Sequence, residues 1–148
     1  MKKAVSKSMA WFLSMVMLFG VFLVSNAAEL KVRAANDSNI LAHLDAIYVE
    51  DNAVFVKGWA FDNDAVSQSV DIHVYIGGKA GNSNAELHVI KADKLRKDVN
   101  DAHNCGNYHG FMEAISTSKR GNQAVYVYAI NLGAGSANPI IGSATLTI

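Results

Sequence analysis

The chain has 148 residues, with thirteen Lys and Arg against thirteen Asp and Glu, and 51% of its residues are hydrophobic. Three of the basic residues, Lys2, Lys3 and Lys7, lie at the very start, so from Ala28 onward ten Lys and Arg face thirteen Asp and Glu, a net charge of minus three. That balance excludes the basic footprint of a nucleic-acid binder. The basic residues are also interleaved with acidic ones, as in Lys94, Arg96, Lys97 and Asp98, so no electrostatic patch for anionic lipid is expected either. A single cysteine, Cys105, allows no internal disulfide.

In chain order, the first feature is an export signal. The three lysines precede an uncharged run of fourteen residues, Trp11 to Val24, and Ser25-Asn26-Ala27 supplies small residues for a signal peptidase. The run is short for a membrane span and no second run of about 20 apolar residues follows. We therefore expect a signal peptide over 1–27, a flexible leader over 28–42, and a released, secreted or cell-surface protein with no membrane attachment after cleavage. Cys105 lies too far from the cleavage site to be a lipidated cysteine.

From about residue 42 the apolar period is two, in runs rich in Val, Ile, Tyr and Phe. The pattern predicts strands near 43–50, 53–61, 69–76, 86–92, 110–116, 124–131 and 139–147. Glu50-Asp51-Asn52 reads as a tight hairpin turn, while Asp62 to Ser67, Gly77 to Asn84 and Gly133 to Asn138 read as polar loops. No helical period separates the runs, so a single all-β, immunoglobulin-like antiparallel sandwich of about seven strands is expected over 43–148. The alternation also assigns faces. Val70, Ile72, Val74 and Ile76 share one side, with Asp71, His73 and Tyr75 on the other. Val125, Val127 and Ala129 oppose Tyr126, Tyr128 and Ile130, and Trp59 and Phe61 are expected to seal the sandwich or its rim.

Five strings occur in order: GWAFDND at 58–64, DIHVYIGG at 71–78, ADKLRKDVND at 92–101, NYHGF at 107–111 and VYVYAINLGAG at 125–135. Together they resemble a β-sandwich accessory module that recurs in secreted bacterial cell-wall hydrolases, glycosidases and surface proteins. The resemblance covers residues 45–148 and implies an accessory, non-catalytic role, although here no enzyme accompanies the module.

Three sets of residues carry the candidate chemistry. Asp93, Arg96, Asp98 and His109 read as a structural polar network that pins the 92–109 connection, because a guanidinium fork between carboxylates satisfies both. Removing one partner is expected to strand the other, with Arg96→Ala and Asp98→Ala comparably damaging. Tyr75, Tyr108, Tyr126 and Tyr128, with His73 and Asp71, read as a binding face for cell-wall glycan or a surface protein. His103, Cys105, His109 and Asp101 match no usual zinc spacing, and Asp62-Asn63-Asp64 lacks the later ligands of a calcium loop, so no metal or other cofactor is expected. Without a nucleophile motif the chain reads as no enzyme. The rival reading is a small metal-dependent or carboxylate-based secreted hydrolase drawing on Asp93, Asp98, Asp101 or Glu113.

Overall fold

The computed structural model describes residues 31–32, 39–133 and 137–148; the expected signal segment lies outside the described residues. Among the described residues, nine strands and one helix follow in order: β1 (Lys31–Val32), β2 (Ile40–Glu50), β3 (Ala53–Asp62), β4 (Asp71–Ile76), β5 (Glu86–Lys91), β6 (Lys94–Leu95), α1 (Lys97–His103), β7 (Tyr108–Ser116), β8 (Asn122–Ala129) and β9 (Ile140–Thr147). They form an antiparallel sandwich. Sheet A has the order β1-β9-β8-β4-β5, and sheet B the order β2-β3-β7-β6. The chain makes a hairpin in sheet B, crosses to make one in sheet A, returns for β6 and β7, and crosses again for β8 and β9, as an immunoglobulin-like sandwich does.

The seven predicted strands are all present, and their faces are those the alternation assigned. Val70, Ile72, Val74 and Ile76 are fully buried, as are Val125, Val127 and Ala129, and with Val54, Val56 and Ala60 they fill the space between the sheets. The first hairpin turns on Asp51 and Asn52, whose φ values of 49° and 61° are the positive pair that a two-residue turn with the correct twist requires. Asx side chains tolerate that region better than most, which is why the turn was visible in the sequence.

Two features differ from expectation. β2 begins at Ile40, and Lys31–Val32 pairs with β9, so part of the stretch assigned to a leader belongs to the sheets. The 92–109 connection is also more regular than predicted, since it holds β6 and α1. The helix is only seven residues long, buries Val99 alone, and ends where Asn104 takes a left-handed conformation and donates its N–H to the Asn100 carbonyl. Two turns with one apolar anchor leave no period to detect.

Helix α1 closes a second, smaller apolar cluster of Phe61, Val99 and Cys105, with Leu41 and Trp59 packed against it. The Trp59 and Phe61 rings stack 5.9 Å apart, and His103 lies against both at 5.3 and 5.6 Å. Trp59 and Phe61 thus seal the outer end of sheet B, as their side of the strand implied.

Candidate binding face and polar clasp

The outer face of sheet A brings together five of the six residues predicted for a binding face. Register sets Tyr75 opposite Tyr126, His73 opposite Tyr128 and Asp71 opposite Lys91. Because directly opposed residues share a face, the row continues from β8 through β4 onto β5, where Leu87 stands opposite Tyr75 and Val89 opposite His73. Leu87 and Val89 are 46% and 54% exposed, and neither was singled out from the sequence. The signal was present in their i, i+2 spacing. It was masked because Ile90 places an apolar side chain on the other face of the same strand.

The rings are held in fixed positions. Tyr75 meets Tyr128 edge-on, with centroids 5.5 Å apart and planes at 77°, and His73 lies 6.4 Å from Tyr75 at 59°. The loop after β4 folds back over the other end of the row. There the Ala80 N–H donates to the Tyr128 hydroxyl at 3.3 Å, and Lys79 Nζ sits 5.6 Å above the Tyr126 ring. Asp71 is engaged by Lys91 at 2.9 Å. The open part of the face is therefore Tyr75, His73, Leu87 and Val89.

Tyr108 does not belong to this face. It is 61% exposed on β7 of sheet B, opposite Leu95, on the other layer of the sandwich. The grouping failed because an exposed tyrosine at the first position of a strand carries no sign of which sheet the strand joins.

The polar network also divides. Arg96 forms a bidentate pair with Asp98, Nε to Oδ1 at 2.8 Å and Nη2 to Oδ2 at 2.7 Å, and its Nη1 donates to Asp45 Oδ2 at 2.7 Å. Asp93 instead pairs with Lys94 at 3.1 Å. His109 is buried and faces the Cys105 carbonyl at 2.8 Å through Nε2, which must therefore carry the proton. Asp45 was not predicted. It occupies a bulge in β2 between Leu44 and Ala46, a device that re-aims a side chain out of the ladder, and nothing local marks it as the partner of a residue 51 positions away. Arg96 reaches it by lying across Gly110, where a Cβ would sit 2.6 Å from Arg96 Cγ.

The Arg96 side chain is 20% exposed and Asp45 26%, whereas Asp98 is 66% exposed. The three positions should therefore contribute unequally, contrary to the expectation that Arg96 and Asp98 match. Arg96→Ala should cost about 2 kcal/mol in urea unfolding, because it strands the half-buried Asp45 as well as losing charge-assisted bonds. Asp98→Ala should cost below about 1 kcal/mol, as exposed pairs do. Asp98 is nonetheless held as a carboxylate, first by its hydrogen bonds from Arg96, with its pKa lowered to about 2 from 3.8. A depressed folded-state pKa means the contribution is complete above the unfolded value and is lost as pH falls through about 2. A carboxyl titration followed by NMR should show that midpoint in the native chain and an ordinary aspartate midpoint in Arg96→Ala.

The residues weighed for metal binding go to separate tasks: His103 to the ring cluster, His109 to a backbone carbonyl, and Cys105 to the apolar cluster, where burial raises its thiol pKa. Among the described residues, no three His, Cys, Asp or Glu are grouped to hold a metal ion. Asp62, predicted as part of a polar turn, is instead a fully buried carboxylate that binds the backbone of the loop after β8. No protein-family model, curated protein or solved structure matches the chain.

Proposed function

We propose that this chain is an exported, non-catalytic module of a bacterial cell surface that binds a protein partner through the outer face of sheet A. The observation that carries the proposal is the row Tyr75, His73, Leu87 and Val89: two rings flanked by two half-exposed aliphatic side chains on the outer face of one sheet. Surfaces of this kind are enriched where proteins meet. The tilt of the rings favours protein over glycan. A sugar polymer stacks on rings lying in a common plane, and Tyr75 stands at 77° to Tyr128. The Tyr128 hydroxyl is in addition occupied by the loop above it.

The resemblance supports a module rather than an enzyme for a physical reason. Phe111 of NYHGF packs on Gly58 of GWAFDND, and Arg96 of ADKLRKDVND lies over Gly110 of NYHGF, so these strings are parts of one packed frame. Residues that hold a frame together need no catalytic explanation.

The test compares retention of the purified chain on insoluble peptidoglycan, chitin and cellulose with binding to proteins from the same cell surface. Protein binding that falls at least tenfold in a Tyr75→Ala, Val89→Ser double variant of unchanged melting temperature supports the proposal. Retention by a polysaccharide, or protein binding indifferent to the two substitutions, overturns it.

A further inference from the structure

A second site adjoins this face, on the side of the sandwich where both sheets end, and Leu87 and Val89 of β5 border both. β5 is the edge strand of sheet A. In sheet B, β6 covers β7 only at Tyr108 and Gly110, so among the described residues β7 has a strand partner on one side alone from Met112 to Ser116. Between these two edges runs a cleft of about 610 Å³, lined by His88 and Ile90 of β5, Glu113 and Ile115 of β7, and Asp93 and Lys94 at one end. The other end is closed by Glu86, which accepts hydrogen bonds from the Thr117 and Ser118 hydroxyls.

An open edge presents unpaired backbone donors and acceptors, and another extended chain satisfies them best. The charges bordering the cleft say what chain that is. Lys91 is neutralised by Asp71 at 2.9 Å and Lys94 by Asp93 at 3.1 Å. Glu113 has no ion-pair or hydrogen-bond partner among the described residues, so one negative charge remains uncompensated beside the free edge. His88 adds a buried Nε2 with no hydrogen bond among the described residues, 3.7 Å from a Glu86 carboxylate already occupied by Thr117 and Ser118.

We propose that the β7 edge from Met112 to Ser116 receives an extended segment of another polypeptide by strand addition, with a lysine or arginine of that segment set against Glu113. The free edge accommodates about five residues of strand. A second copy of this chain is a poor occupant. Antiparallel pairing of two β7 edges about Ala114 would bring both Glu113 carboxylates to one face within diagonal reach. A charge at an edge strand is a known guard against self-pairing, and here it also selects for a basic guest.

The experiment titrates two capped pentapeptides, Thr-Val-Thr-Lys-Thr, whose fourth residue stands opposite Glu113 when the peptide lies antiparallel along 112–116, and the same sequence with Glu in place of Lys, into the isotope-labelled full chain. The lysine peptide should shift the amides of 87–91 and 112–116 and slow hydrogen exchange at alternate amides between Met112 and Ser116, the signature of an added strand. It should bind at least about tenfold more tightly than the glutamate peptide, a preference that Glu113→Gln abolishes and Glu113→Lys reverses. Because Glu113 is exposed, neither substitution should disturb the remaining spectrum. Equal affinity for the two peptides, shifts confined to other surfaces or no shift at all would overturn the proposal. So would protection of 112–116 that grows with protein concentration alone, which would assign the edge to a second copy.

Discussion

Replacing Asp62 with alanine should cost about 3 kcal/mol in urea unfolding, one of the two largest losses among the substitutions considered. Asp62 is the last residue of β3 and is fully buried. Its Oδ2 accepts the N–H groups of Leu132 at 2.8 Å and Gly133 at 3.2 Å, and its Oδ1 accepts that of Asp64 at 2.9 Å. One carboxylate thus fixes the turn that follows β3 and the loop that follows β8, some seventy residues later in the chain. Alanine would remove the acceptor of the Leu132 N–H and the turn-closing acceptor of the Asp64 N–H, while the Gly133 N–H would keep Asn131 Oδ1 at 2.8 Å, and charge-assisted bonds to a buried carboxylate are the stronger kind. Asparagine is no conservative replacement, because its amide presents one acceptor and turns two donors toward N–H groups. Asp62→Asn should therefore lose about 2 kcal/mol and retain protection at only part of the loop. Amide exchange at Leu132 and Gly133 supplies the local readout. A loss below about 1 kcal/mol with unchanged exchange at those two amides would show that water replaces the carboxylate.

What the sequence revealed and what it hid follow from the range of the interactions. Strand faces are set by neighbours two residues apart, so Val70 through Ile76 and Val125 through Ala129 were assigned correctly from local pattern alone. The Asp51-Asn52 turn was likewise legible, since its constraint is on the backbone of two adjacent residues. Asp62 and Asp45 were not. Each is an ordinary polar residue in sequence, and each gains its role from a partner that the fold delivers from 70 and 51 positions away. The binding face lies between these cases. Tyr75, Tyr126 and Tyr128 were grouped by alternation, but Leu87, Val89 and the exclusion of Tyr108 required the strand order.

The Arg96 clasp shows the same division within one residue. Its pairing with Asp98, two positions on, was predicted, and that is the exposed and weaker half. Its pairing with Asp45 ties the 92–109 connection to the far strand of sheet B, and it depends on a bulge and on a glycine. The string ADKLRKDV therefore names one end of the anchor and not the other. Glycine in a strand often marks the close approach of another group, and Gly110 is such a mark.

Gly58 is the second, and its substitution should match Asp62→Ala in effect. Its backbone is ordinary for a strand, so alanine meets no conformational penalty, and the obstacle is space alone. A Cβ there would lie 2.3 Å from the His43 carbonyl oxygen and 2.6 Å from the tip of the Phe111 ring. The ring is the yielding contact, because a side chain can rotate into the core at moderate cost. The carbonyl is not, since it belongs to β2 just before the bulge that presents Asp45. Gly58→Ala should thus cost about 3 kcal/mol, the upper range for overpacking, by forcing β2 and β3 apart. Phe111→Leu would relieve the first clash and leave the second. The double variant Gly58→Ala, Phe111→Leu should therefore be more stable than the sum of the single losses predicts, yet should not recover the stability of Phe111→Leu alone. Strain in β2 should also reach the clasp through the bulge that stands opposite position 58, so in Gly58→Ala the signals of Asp45 and Arg96 should shift. Full recovery by the double variant would place the whole obstruction in the ring, and unchanged Asp45 and Arg96 signals would show that the bulge absorbs the displacement before it reaches the carboxylate.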